Sequence, residues 1–560
     1  MPSPMIRSCA ALLSLIAVAA GSAVGDDQPR PLVDPDVPVS RNATPAERAW
    51  MDANPLRPMQ PRGPFTQPSG ALSCPGEYAP SDGICMAWAG GTTLNQISAQ
   101  MIRHITTTGA ARVYLVFPTA ASRDAQLNSP TSTLRAQNPD LSRVVPVVAP
   151  INSIWMRDYG PRYAYENGCR VIVDHRYNVT SRTSDDAFPT VFGPFKRHAV
   201  YPLNMLHGGG NYQLDSLGNG FATRLVVNEN PALGAAGVVG AWRTYQNVET
   251  TLMDPFPRAV DATQHIDMWM QIASDNLAFV AQWPGPAVGG TPSTQFSITE
   301  AAATSLAARG YSVVRLPARL LTSPISGTST HYTYTNMVIC NDLVLLPSFS
   351  NTAMASGSPS LNAQALATVQ AAMPGKTVVQ IPCESIVYLA GVMHCIVMHV
   401  PANQNGASPG VYLRTQNAGA AITGGADVDA RWISDDDNQV TSIDIDLSLD
   451  AGATWAPVVA ATTDDGQHVF ACPQTPTRHG LLRVTARDAQ GNTATDASNQ
   501  RFTIAVACPG DYTGDGKTVA DIFVFLSDWF AGSLRADMDG AGVVGVDDLF
   551  NFLSGWFGAC

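Results

Sequence analysis

A chain of 560 residues is too long for one core of about 100–200 residues, so several domains are expected and a single small module is excluded. With 45% hydrophobic and 14% charged residues, and with 46 Gly and 41 Pro marking many turns, it is neither largely disordered nor collagen-like. Its 33 Lys+Arg against 45 Asp+Glu give −12 with no basic run, so nucleic acid and anionic membranes are poor partners.

Residues 1–25 read as a secretory signal peptide. Arg7 precedes an apolar run from Cys9 to Ala20, and small residues lead to Gly25. The run is shorter than the roughly 20 residues a bilayer span needs, so a secreted mature chain without a membrane span is expected. Residues 26–72 are Pro-rich and read as a mobile lead-in, broken by a short helical pattern at 44–51. From 73 to 405 short apolar strands alternate with helical stretches. Strands are predicted at 111–117, 144–148, 170–174, 277–281, 312–316, 337–346 and 377–381, and helices at 94–108, 298–309 and 361–373. That alternation makes the region α/β. Over 420–506 helical periodicity gives way to alternating strands with Gly-containing turns, the pattern of a β-sandwich of immunoglobulin-like size.

Export changes the meaning of the cysteines, because loss of Cys9 leaves nine in a compartment where disulfides form. Cys74 with Cys85, and Cys508 with Cys560, are plausible staples. An odd count leaves at least one thiol among Cys169, Cys340, Cys383, Cys395 and Cys472.

Residues 508–560 hold two similar units. A calcium-binding loop places oxygens at positions 1, 3, 5 and 12 and a Gly at 6. The second unit supplies Asp537, Asp539, Gly542 and Asp548 at 1, 3, 6 and 12, with Ala541 at 5. The first supplies Asp511, Thr513, Asp515 and Gly516 at 1, 3, 5 and 6, but Asp521 comes one residue early and Ile522 takes position 12. Each loop is followed by an apolar helix ending in Trp-Phe, and the duplicated arrangement resembles dockerin domains. The resemblance implies a small α-helical domain that binds calcium and attaches to a protein or cell-surface scaffold partner.

Four clusters set polar residues beside apolar strands and glycines: residues 153–161 (SIWMRDYGP), 207–220 (HGGGNYQLDSLGNG), 261–269 (DATQHIDMW) and 389–397 (LAGVMHCIV). Together they offer a cysteine, a histidine and carboxylates, a set suited to nucleophilic attack on a guanidinium. That cation is flat with its donors in a fixed fork, so two carboxylates can grip its edges and leave its central carbon open to sulfur. Asp158 and Asp267 are the candidate carboxylates. If the segment is extended, the i, i+2 spacing of His265 and Asp267 puts both on one face.

The order WMRDYGP, GGNY with Asp215, HIDM, Tyr334-Thr-Asn336 and Met393-His-Cys395 resembles the agmatine deiminase and bacterial peptidylarginine deiminase family over residues 75–405. The resemblance implies the pentein fold, an α/β-propeller with pseudo-fivefold symmetry. It makes Cys395 the nucleophile, His265 the general acid/base, Asp158 and Asp267 the guanidinium clamps and Asn336 a polar group lining the site, with no cofactor in the reaction. Trp155, Arg157, Gly209 and Asn211 would shape the substrate pocket. Agmatine deiminases carry Glu where this chain has Gly208, which disfavours agmatine, and Arg176 or Arg182 could receive a peptide carboxylate. The expected activity is conversion of peptidyl-arginine, or an arginine-like guanidino compound, to citrulline and ammonia. Agmatine deimination to N-carbamoylputrescine is the alternative substrate reading. A non-catalytic guanidinium-binding or scaffold protein is the alternative of another class, and the joint presence of Cys395, His265, Asp158 and Asp267 weighs against it. A papain-like hydrolase fits worse, because Cys395 follows its candidate histidine.

Overall fold

The computed structural model describes residues 33–56, 66–288, 290–437 and 439–559, so the expected signal peptide lies outside the described residues. Between residues 72 and 401 the strands form five sheets that repeat one local order. In each, a first strand pairs antiparallel with a second, and the second pairs parallel with a third. The triplets are Arg162–Glu166, Cys169–Tyr177 and Ala199–His207; Gln213–Leu214, Asn219–Thr223 and Glu249–Met253; Met270–Ser274, Leu277–Gln282 and Ser312–Thr322; and Val338–Cys340, Leu343–Ser348 and Thr377–Pro382. The fifth is closed across the whole region, because its first strand, Val397–Pro401, comes last in sequence and pairs with Ser81–Ala87, which runs parallel to Arg112–Phe117.

A parallel pair needs a crossover, and helices supply it. Helix Gly91–Thr107 buries Leu94, Ile97, Met101, Ile102 and Ile105, one face at helical spacing, against its sheet. Helices Thr294–Ala308 and Leu361–Ala372 fill the corresponding crossovers and start on the side-chain caps of Ser293 and Ser360. One predicted strand divides. Residues 337–346 form Val338–Cys340 and Leu343–Ser348, joined where Asn341 takes φ +50, a left-handed backbone that Asn tolerates better than most residues.

The suggested Cys74–Cys85 disulfide is not formed: both are buried free thiols. Cys85 sits mid-strand in the main apolar core and Cys74 in a second cluster with Tyr201 and Trp242, so packing holds them in separate cores. Cys508 is disulfide-bonded, and Cys560 lies outside the described residues.

The next strands begin at Gly410, ahead of the expected 420, because Gly410–Leu413 pairs with Asp427–Asp435. Two sheets here share a core around Trp432, Ile443, Leu482 and Val484. Arg170 anchors this region to the first, gripping Asp435 through Nε (2.9 Å) and Nη2 (2.9 Å) with both side chains buried. Helices Val519–Ala531 and Val546–Phe557 end the described chain and pack by stacking Phe525 on Phe552 at 4.1 Å. Among the described residues no helix is long and apolar enough to cross a membrane.

Candidate active site

The five repeated sheets explain how distant motifs meet. Each candidate loop is the short turn that leads into the first strand of a sheet. Met156–Tyr159 precedes Arg162, Gly209–Asn211 precedes Gln213, Ile266–Met268 precedes Met270, Asn336 precedes Val338, and His394–Ile396 precedes Val397. Equivalent positions in five repeats converge, and Asp158, His265, Asp267, Asn336 and Cys395 are all buried together. Two of these turns are entered through non-glycine residues in left-handed backbone, Gln264 (φ +60) and Ala390 (φ +67). Such residues cost about 1–3 kcal/mol each and collect at functional sites.

A guanidinium of the chain itself fills the centre. Arg41 Nε and Nη2 donate to Asp158 Oδ2 and Oδ1 at 2.7 Å each, and Nη1 and Nη2 donate to Asp267 Oδ1 and Oδ2 at 3.1 Å each. Its Nη1 also lies 2.7 Å from Cys395 Sγ. Burial opposes the charge, but Asp158, Asp267 and the sulfur hold the Arg41 guanidinium well above its ordinary range. The carboxyls respond in turn. Against the opposing effect of burial, Arg41 and then His265 hold Asp158 far below the usual carboxylate range, while Arg41 and His394 bring Asp267 to about 2. Burial and then the two carboxylates push the Cys395 thiol well up, with Arg41 opposing them.

The sequence model of the Porphyromonas-type peptidyl-arginine deiminase family matches residues 73–401, more than half of the chain and all five converging turns. The chain belongs to that family. Its members are hydrolases acting on guanidino C–N bonds, so this deiminase is an enzyme of that class. Two solved structures share the fold of the same region. One, from Porphyromonas gingivalis and provisionally titled an arginine deiminase, is 20% identical with a TM-score of 0.51, covering 60% of this chain and 99% of that one. The other, a C. jejuni agmatine deiminase variant with substrate bound, is 14% identical with a TM-score of 0.50, covering 60% and 97%.

The remaining candidate residues of the deiminase divide. His265 does not sit in an extended segment but opens the turn Ile266–Met268, and its Nδ1 stands 3.5 Å from Asp158 Oδ1 without completing a hydrogen bond. Asn336 Oδ1 lies 3.4 Å from Cys395 Sγ and accepts from the His394 amide. Gly210 gives the closest fit: a β-carbon there would lie 1.8 Å from Arg41 Nη2, so the guanidinium lies against bare backbone. At Gly208 a β-carbon would lie 2.5 Å from His265 Cε1, which leaves no room for a side chain unless the imidazole shifts. Gly209 and Asn211 hold neighbouring loops: Gly209 O accepts from Arg162, and Asn211 Oδ1 accepts from the Thr223 and Ile266 amides. Trp155 donates Nε1 to Val39 O at 3.0 Å.

Four side chains are engaged by partners other than the guanidinium. Arg157 points away from the guanidinium into an ion pair with Glu77, since its charge needs a buried partner. Arg176 donates to Asn204. Asp215 caps its own loop, accepting from the Leu217 and Asn219 amides. Arg182 is drawn to Glu47, Ser40 O and Asn42 O.

Three further residues of the site had no role assigned from the sequence. His394 bridges Asp267 Oδ2 (2.9 Å) and Glu77 Oε2 (2.6 Å), fixing the clamp from behind. It lay inside a quoted motif, but Glu77 and Arg41 did not. Residues 33–54, expected to be mobile, instead cross the cleft as a strap, because Arg41 and Glu47 each find a buried partner there. The predicted helical pattern at 44–51 is real. Helix Pro45–Ala53 starts on a Thr44/Glu47 capping box.

Proposed function

We propose that this chain deiminates peptidyl-arginine on a pentein scaffold. The observation that carries the reading is the guanidinium flat between Asp158 and Asp267 with a nitrogen 2.7 Å from Cys395 Sγ. Arg41 stands in for a substrate arginine. The thiolate adds to the guanidinium carbon, His265 delivers a proton to the departing ammonia, and water deprotonated by the same histidine cleaves the thiouronium to a ureido product. Burial and the two carboxylates raise the thiol and a guanidinium in the site opposes them, so a bound cation shifts the balance toward the thiolate.

A polypeptide substrate is favoured over a small guanidino compound because the cleft has partners for main chain. Leu389 O accepts the Arg41 amide, Trp155 donates to Val39 O, and Arg182 donates to Ser40 O and Asn42 O. The apolar run before Gly25 supports secretion. The two sheets after Gly410 read as a sandwich spacer.

The C-terminal pair reads as a dockerin-like, calcium-binding repeat. The oxygens of Asp511, Asp515 and Asp521, and those of Asp537, Asp539 and Asp548, lie within 4.8 Å of one another in each trio, an all-oxygen set that fits calcium. Thr513 joins the first trio by donating to Asp515 and Asp521. Asp521 is not misplaced. It caps the first turn of its helix as Asp548 does in the second, so the first loop is simply one residue shorter. Exposed Phe523, Phe530, Phe550 and Phe557 give the two helices matching apolar surface for a scaffold partner.

The test is release of ammonia and ureido product from benzoyl-arginine amide, a C-terminal-arginine peptide, free arginine and agmatine, with Cys395→Ala as control. Turnover confined to agmatine overturns the peptide reading. Equal turnover by Cys395→Ala overturns the site.

A further inference from the structure

In the described conformation the enzyme is closed to outside substrate. Cys395 and Asp267 are fully buried, Asp158 is 1% exposed and Arg41 only 2%. An external guanidinium has no room until Arg41 leaves. Arg41 is held by contacts a substrate would make, to both carboxylates and to the sulfur, and its main chain is pinned on either side at Val39, Ser40 and Asn42. Arg48, seven residues along the same strap, is exposed.

We propose that Arg41 is the chain's own modification site: Cys395 deiminates it in place, and the loss of its charge frees the strap and opens the cleft to other substrates. The inference rests on the deiminase reading above. In the step, the Cys395 thiolate bonds to Cζ of Arg41, and one terminal nitrogen leaves as ammonia with the proton His265 supplies. Water then gives its oxygen to Cζ, and sulfur departs with its electron pair. Guanidinium and water become a neutral ureido group and ammonium, with no oxidant or reductant. The ureido group carries no charge for Asp158 and Asp267 to hold. Two buried carboxylates left without a cation favour expulsion of the neutral side chain and entry of a new guanidinium. The strap is thus a plug that the enzyme removes once.

Peptide mass spectrometry of the purified full chain tests this. Residue 41 is expected as citrulline in the wild type, with residue 48 still arginine, and both as arginine in Cys395→Ala. Mixed with an equal amount of wild type, the Cys395→Ala chain should convert at residue 41 at least about tenfold more slowly than the wild type converts itself, since the strap's effective concentration favours reaction within one chain. Arg41→Lys keeps a cation but offers no carbon to attack, so it should turn over benzoyl-arginine amide at least about tenfold more slowly than Arg41→Ala. Unmodified arginine at 41, in a preparation where wild type or Arg41→Ala turns over benzoyl-arginine amide, overturns the inference and leaves the deiminase reading standing. Conversion of the Cys395→Ala chain as fast as the wild type overturns reaction within one chain. Absence of turnover in both wild type and Arg41→Ala overturns the deiminase reading and the inference with it.

Discussion

Arg182 grips Glu47 through Nε at 2.8 Å and Nη2 at 3.1 Å, and both side chains are buried. This pair is the second anchor of the strap whose first anchor is Arg41. Burial raises the Glu47 carboxyl, but Arg182 overrides it and holds it below its ordinary value. The anchor is therefore at full strength above the ordinary carboxylate range and is lost as pH falls through the lowered value. In an Arg41→Lys background, which keeps the strap charged, adding Glu47→Gln should cost the closed form about 1.5–3 kcal/mol. Alkylation of Cys395 by iodoacetamide, followed by intact mass, should speed up at least about tenfold.

The clamp should show in kinetics. Asp158→Asn and Asp267→Asn each remove one charge from a buried, hydrogen-bonded pair, a change worth about 2–5 kcal/mol. The kcat/KM for benzoyl-arginine amide is expected to fall by roughly two to three orders of magnitude in each, and Cys395→Ala should lose turnover altogether.

The raised thiol predicts a charge preference. Burial, Asp267 and Asp158 disfavour the Cys395 thiolate, and a cation opposes them. In the Arg41→Ala chain, a cationic haloacetamidine should inactivate far faster than neutral iodoacetamide at neutral pH. The iodoacetamide rate should also keep rising with pH beyond the ordinary thiol value of about 8.5.

Glu229 lines a cavity of about 180 Å³ with Arg41, Asn178 and His265. Burial lifts its carboxyl from 4.5 to about 7, against the opposing effects of Asn178 and His265. The folded state then binds this proton more tightly than the unfolded state, so stability falls as pH rises from about 4.5 to about 7. Glu229→Gln should flatten that decline and raise the melting temperature at pH 8, with a gain of no more than about 2–3 kcal/mol.

Calcium should matter only to the C-terminal repeat. Excess calcium is expected to raise the temperature at which helices Val519–Ala531 and Val546–Phe557 unfold, and a double Asp521→Ala, Asp548→Ala chain should lose the increment. Turnover of benzoyl-arginine amide should not change, because neither loop contributes to the cleft.

Much of the candidate site was legible in the sequence because each motif is local. Trp155 to Tyr159, Gly209 to Asn211, His265 to Met268 and His394 to Ile396 are turns set beside apolar strands, a pattern that survives in one dimension. The direction of a side chain does not survive so well. Arg157 adjoins the clamp residue Asp158 but faces Glu77, because a short helical turn sends neighbours to opposite sides. His265 and Asp267 would share one face in an extended segment; they lie instead at a tight turn, where Asp267 binds Arg41 directly and His265 stands beside Asp158.

Residue types and spacing were enough to determine the α/β character of the first region, the β character of the next, the paired acidic loops and the carboxylates Asp158 and Asp267 for a guanidinium, and the family resemblance implied Cys395. The tertiary structure alone decided that the guanidinium present is Arg41. A Pro-rich segment reads as mobile until a buried pair of carboxylates more than a hundred residues away supplies the charge that holds Arg41. Glu77 and Glu47 became structural for the same reason. The energy of a buried ion depends on which opposite charge the fold brings beside it, and no local pattern encodes that meeting.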